Sequence, residues 1–145
     1  MMFIMKMCDL SDVGPADIDV VAALGDHLVT GTAALANSTS DTFKDYPEVS
    51  FAMGGAGDWR TVTTLPNLLR QFNPNLIGFS AGNRLILDIA SYLSICLPGS
   101  FTAKGFNFAK SSATSKELEE QARNLLSAME SDKRIDMNTF WKVSD

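Results

Sequence analysis

Histidine occurs once in this 145-residue chain, at His27, and cysteine twice, at Cys8 and Cys96. Two cysteines cannot make a disulfide framework and show no metal-ligand spacing. One histidine leaves no zinc site of the usual Cys/His kind, and nothing implies a metal or a cofactor. Basic residues are also short, 12 Lys and Arg against 17 Asp and Glu for a net charge of −5. That balance excludes a sequence-independent nucleic-acid binder, which needs a basic face to neutralise phosphates. Long apolar runs are scarce as well. The richest, residues 85–97, contains Asp88 and is too short to span a bilayer, so no transmembrane span is expected. The start, residues 1–7, is too short for a secretory h-region and meets Asp9 almost at once. Nothing in the sequence sets an oligomeric state.

What the chain does have is a globular composition, 46% hydrophobic and 20% charged, over one domain's length. Residues 19–24 form an unbroken β-branched and apolar run ending at Gly25, which suits a strand buried on both faces of a parallel sheet. Residues 30–42 make a Thr/Ser/Asn-rich loop, and residues 54–57 a glycine-rich turn without the Lys-Ser/Thr of a phosphate loop. Thr64 is placed to cap a helix bearing Leu65, Leu68, Leu69 and Phe72, with Pro66 tolerated in its first turn. Residues 76–80 read as another buried strand. Thr114 and Glu117 have capping-box spacing at the head of a helix over residues 115–131, with Leu118, Ala122, Leu125 and Met129 as its apolar stripe. Glu119 and Arg123 can pair on its exposed face. Residues 141–144 open a further strand. The alternation predicts an α/β layered fold.

Several segments carry a family resemblance. Pro15-Ala-Asp-Ile-Asp-Val-Val-Ala-Ala-Leu-Gly-Asp-His27, Gly57-Asp-Trp-Arg-Thr-Val-Thr-Thr-Leu-Pro-Asn67, Phe72-Asn-Pro-Asn75, Asn107-Phe-Ala-Lys-Ser-Ser-Ala-Thr114 and Glu120-Gln-Ala-Arg123 run in order along the chain. Together they resemble the phospholipase B branch of the GDSL (SGNH) lipid esterases, most strongly over residues 15–82 and 104–143. Gly-Asp-Trp-Arg and Leu-Pro-Asn are the segments specific to that branch. The resemblance implies a single, partial SGNH-hydrolase domain over residues 1–145, a three-layer α/β/α (flavodoxin-like) fold with a parallel sheet and its C-terminal part missing. It implies a lipid or ester substrate, and relatives that are secreted or membrane-associated ectoenzymes.

The family's chemistry, on this resemblance, uses a serine nucleophile after the first strand and a histidine base from a late Asp-x-x-His motif. Its oxyanion donors are the serine N–H, a glycine N–H and an asparagine side chain. A hydroxyl attacks an ester only when a base takes its proton, and the developing charge needs donors already aimed at it. Here the nucleophile position is His27, which cannot form an acyl-serine, and the same residue is the chain's only histidine. His27 therefore reads as a loop-lining residue. The oxyanion-glycine position falls on Ser112, whose N–H remains but whose side chain opposes the unusual dihedrals that glycine permits. Gly25, Asp26 and Asn107 are the supporting positions kept. The third block, expected soon after residue 143, is absent from these 145 residues.

Asp58, Trp59 and Arg60 read either as a wall of the substrate cleft or as a loop anchored by a buried tryptophan. Asn37-Ser38-Thr39 is an acceptor sequon for N-glycosylation. The apolar residues 84–97 depart from the family's polar loop. They read as core helix, strand, lipid-facing segment or retained non-coding sequence. Three functional readings stand: a phospholipase B-like lipid ester hydrolase inactive as written, a non-catalytic lipid- or partner-binding pseudoenzyme, and a fragment without independent function.

Overall fold

The computed structural model describes residues 2–5, 14–81 and 104–137. The expected strand at 141–144 and the apolar residues 84–97 lie outside the described residues, as do both cysteines. Two strands, β1 (Met2–Met5) and β2 (Val20–Ala23), pair antiparallel with Met2 opposite Ala23 and Met5 opposite Val20. The opposite edge of β2 carries parallel bridges, Val20 to Ile77 and Ala23 to Asn107, and Gly54 bridges Ser80 in parallel further out. An antiparallel neighbour at the chain's start was not expected from its sequence.

The apolar run of β2 is buried on both faces because its side chains alternate between two cores. Val21 and Ala23 pack with Ile18, Ala52, Met53, Leu69 and Leu76. Val20, Ala22 and Leu24 pack with Phe106, Leu125 and Met129. The first core is closed by helix α2 (Leu65–Leu69), the second by helix α3 (Leu118–Ser131). Thr64 caps α2 as expected, its hydroxyl accepting from the Asn67 N–H at 3.3 Å. The helix is shorter than its apolar spacing implied, and Phe72 is exposed. Glu117 caps the Thr114 N–H at 2.8 Å, but residues 115–117 wind as a 3-10 turn before α3 begins. Leu125 and Met129 are buried, whereas Leu118 is exposed, so the stripe covers only the later turns of α3. Arg123 and Glu119 pair as their spacing predicted.

Residues 76–80 do not form a continuous strand. Gly78 sits at φ +94°, and a Cβ there would meet the Val21 carbonyl oxygen at 2.1 Å. Only glycine allows the chain to turn that close to β2. The Phe106 N–H donates to the Gly78 carbonyl at 2.7 Å, so residue 106 enters the β2 edge immediately after Ile77. That crossover brings the residue 104–112 segment beside the end of β2.

Candidate functional site

The chain leaves β2 at Leu24, turns at Gly25, and starts helix α1 (His27–Thr30) with Asp26 as its cap. The Asp26 carboxylate accepts from the Leu28 N–H at 3.1 Å, satisfying one of the helix's free donors. Gly31 closes α1 at φ +69°, where a Cβ would meet the Tyr46 carbonyl oxygen at 2.5 Å. His27 is exposed, with Nδ1 3.6 Å from Asp26 Oδ2. No other described carboxylate forms an ion pair with it.

Two buried amides hold this turn. Gln121, on α3, accepts the Gly25 N–H at 2.9 Å and donates to the Gly25 carbonyl at 3.0 Å. Asn107 donates to the Val29 carbonyl at 3.0 Å while its Oδ1 accepts from Ala109 N–H at 3.2 Å. The Lys110 N–H adds a second donor to the Gly25 carbonyl at 3.2 Å. The sequence reading kept Asn107 as a supporting residue and overlooked Gln121. Its only signal was membership of the Glu120-Gln-Ala-Arg123 segment.

A hydroxyl cluster joins the same two segments. Asp45 Oδ1 accepts from Ser111 Oγ at 2.5 Å, Thr32 Oγ1 at 2.6 Å and Thr30 Oγ1 at 3.2 Å. Ser111 is also within 3.0 Å of Thr30 and 2.7 Å of Thr32, hydroxyl to hydroxyl. Partial burial pushes the Asp45 carboxyl up, but the hydroxyls of Ser111, Thr32 and Thr30 together with the Lys104 charge bring it below its ordinary value. None of these four residues has a sequence spacing that reveals the cluster.

These bonds set residues 110–112 alongside residues 25–30. Ser112 holds φ +65°, so the serine occupies the left-handed conformation that glycine favours. Neither the His27 N–H nor the Ser112 N–H donates to another described group.

Asp58, Trp59 and Arg60 belong to a different locality. Asp58 Oδ1 accepts from the N–H groups of Arg60 and Thr61 and from the Thr61 hydroxyl, at 2.9, 2.9 and 3.1 Å. The Thr61 N–H and hydroxyl, and then the Arg60 N–H, hold its carboxyl below the ordinary range. Trp59 is half-buried, and Arg60 lies 4.6 Å over its ring. Buried Asn67 on α2 pins this loop by donating to Ala56 and Val62 carbonyls, both at 2.9 Å. No hydrogen bond among the described residues ties Asp58–Arg60 to residues 25–32. Asn37 is exposed in the loop after α1. Among the described residues no group of three His, Cys, Asp or Glu could hold a metal ion. Among them, too, no helix is long and apolar enough to cross a membrane.

Over 131 residues, 89% of its length, the chain is 39% identical to "Phospholipase B1, membrane-associated" of Mus musculus. The protein of that name from Homo sapiens is 36% identical over the same share, and that from Rattus norvegicus 34% identical over 91% of the chain. The chain is a phospholipase B1 relative. It spans about 8% of the length of each of these proteins. No family model matches the chain. No solved structure matches it either. The phospholipase B1 relationship reaches most of the chain, and with it the Gly25–Thr30 turn and the Gln121 clamp fall inside a related scaffold.

Proposed function

We propose that this chain is a phospholipase B-like lipid-ester hydrolase scaffold of the GDSL (SGNH) type that does not carry out serine-based turnover within its own 145 residues. The observation that carries this reading is the turn after β2. Its Gly25 is clamped by Gln121, its helix by Asn107, and its exposed position 27 holds histidine where a serine hydroxyl is needed. An SGNH-type α/β/α fold is part of the same proposal, supported by a central strand with parallel neighbours and a helix-bearing core on each face.

On this reading the His27 and Ser112 backbone N–H groups are what is left of an ester-polarising pair. Two such donors stabilise a developing oxyanion, but without an activated hydroxyl there is no nucleophile for the first bond to form. Among the described residues, Asp26 is the one carboxylate paired with the imidazole at position 27, at 3.6 Å. The proposed occupant of the site is a lipid or ester carbonyl, bound and not cleaved. The alternative of a fragment without independent function predicts non-cooperative thermal unfolding, whereas a scaffold with a core on each face of β2 should unfold cooperatively.

Fluorophosphonate labelling followed by mass spectrometry of tryptic peptides tests the reading. No serine should carry an adduct. A stoichiometric adduct at Ser111, Ser112 or any other serine overturns it.

A further inference from the structure

Among the described residues β1 is the one antiparallel neighbour of β2; the bridges on the other edge of β2 are parallel. The two edges divide the backbone of β2 between them. Val21 and Ala23 donate to the Ile77 and Phe106 carbonyls at 3.0 and 3.1 Å on the parallel edge. Val20 and Ala22 therefore turn their N–H groups to β1, opposite Met5 and Phe3.

The path of the chain points a second strand at the edge that β1 holds. Between β2 and its parallel neighbour at 106–108, the chain crosses the face of the first core, where Val29, Leu65 and Leu69 pack. From 106–108 it then crosses the opposite face, where α3 buries Leu125 and Met129 in the second core. Crossovers between parallel strands are right-handed, so a change of face reverses the direction of travel. The first crossover steps outward from β2, and the second steps back across it, to the edge that β1 holds. The chain beyond α3 is on that course, since Ile135 and Met137 pack against the core that contains Val20, Ala22 and Leu24. Residues 141–144, whose sequence reads as a strand, lie outside the described residues. Four extended residues from Met137 reach about 13 Å. The edge thus has two claimants and room for one. A bare sheet edge pairs with whatever strand reaches it, so a segment that covers it in the other's absence protects the chain.

We propose that Met2–Met5 is a displaceable guard on β2, and that the same edge is the docking site for the chain's own residues 141–144 in parallel. Two states follow, one with β1 in place and one with it released. The Val20 and Ala22 N–H groups find a partner in both. The inference rests on strand topology and not on chemistry at residue 27, so its failure leaves the reading of that residue untouched.

Phe3→Pro in the full chain is the test. Proline removes the N–H that Phe3 gives to Ala22 and so breaks β1 without altering β2. Nuclear magnetic resonance then reads both strands. In wild type Ile4 and Val21 are a non-hydrogen-bonded pair, whose α-protons lie close enough for a strong cross-strand NOE. The variant should lose that contact and gain contacts between residues 141–144 and Val20–Ala23 in a parallel pattern. Its Val20 and Ala22 amides should still exchange within about tenfold of Val21 and Ala23, whose partners are unchanged. A wider gap overturns the proposal, because the edge then has no second occupant. Loss of protection at all four amides overturns it as well. So does protection without contacts to residues 141–144, or protection supplied by a second copy, seen as a dimer in sedimentation and as NOEs between differently labelled chains.

Discussion

Replacing Gln121 by methionine removes both hydrogen bonds from the Gly25 turn and little else. The two side chains are similar in length, and Gln121 is only 5% exposed, so methionine fills the same space without opening a cavity. The two ends of the clamp are not equivalent. The Gly25 carbonyl keeps the Lys110 N–H at 3.2 Å, whereas the Gly25 N–H has Gln121 as its only described acceptor. The carbonyl end costs one ordinary bond, and the orphaned N–H the larger share, for a total of about 2–3 kcal/mol. Gln121→Glu provides a control whose deficit depends on pH. Its carboxylate can accept the Gly25 N–H but repels the Gly25 carbonyl, whereas the protonated acid can donate to that carbonyl. The folded-state value of such a glutamate lies above the ~4.3 of an unfolded one. The variant is therefore closest to wild type below that pH and loses stability as pH rises through the raised value. Urea denaturation of the three proteins at pH 4 and pH 7 measures both effects. A methionine variant within about 0.5 kcal/mol of wild type refutes the clamp, because surface changes alone reach that size. A glutamate variant whose deficit is the same at both pH values refutes it equally.

Three further outcomes follow from the same turn and its neighbours. Ser112→Gly should stabilise the chain by about 0.5–1 kcal/mol, since glycine relieves the left-handed φ at a smaller entropic cost, and thermal melting will show it; a lower melting temperature contradicts the strain. Asp45 is held below its ordinary value, so its contribution is complete above the unfolded ~3.9 and disappears as pH falls through the lowered folded value. The stability gap between wild type and Asp45→Asn should accordingly close on acidification below pH 4, and a gap that widens there contradicts the hydroxyl cluster. Asn37 stands exposed in its sequon, so secretion of the chain from a eukaryotic host behind an added signal peptide should give a glycosidase-sensitive mass increase that Asn37→Gln abolishes. An unshifted mass contradicts acceptor use.

Much of the scaffold was legible because it depends on local rules. An apolar run too regular to have a solvent face gave β2, and side-chain oxygens three residues from their donors gave the start of α2 and of the 3-10 turn that leads into α3. Residues 76–80 were harder to read, since one glycine at positive φ replaces a strand with a crossover and hydropathy carries no trace of it. The site was legible as a set of positions and not as a set of contacts. His27, Ser112 and Asn107 could be placed by resemblance, but Gln121 lies 96 residues from the backbone it holds, and Asp45 66 from Ser111. Hydrogen bonds across such separations leave no periodicity in sequence. The Asp58–Arg60 segment lies in the α2 locality through a shorter link: Asn67 holds carbonyls 11 and 5 residues before it, a role that the Leu-Pro-Asn segment contained without revealing.

Fatty-acid release from phosphatidylcholine by purified wild type and His27→Ser bears most directly on the central claim. The account predicts background release from both. Wild type has no hydroxyl at position 27, and in the substituted chain a restored serine has no histidine left to activate it. Sustained release by wild type contradicts the reading of this chain as a non-hydrolysing scaffold. Release by His27→Ser alone shows that another group in the chain serves as base, which contradicts it too.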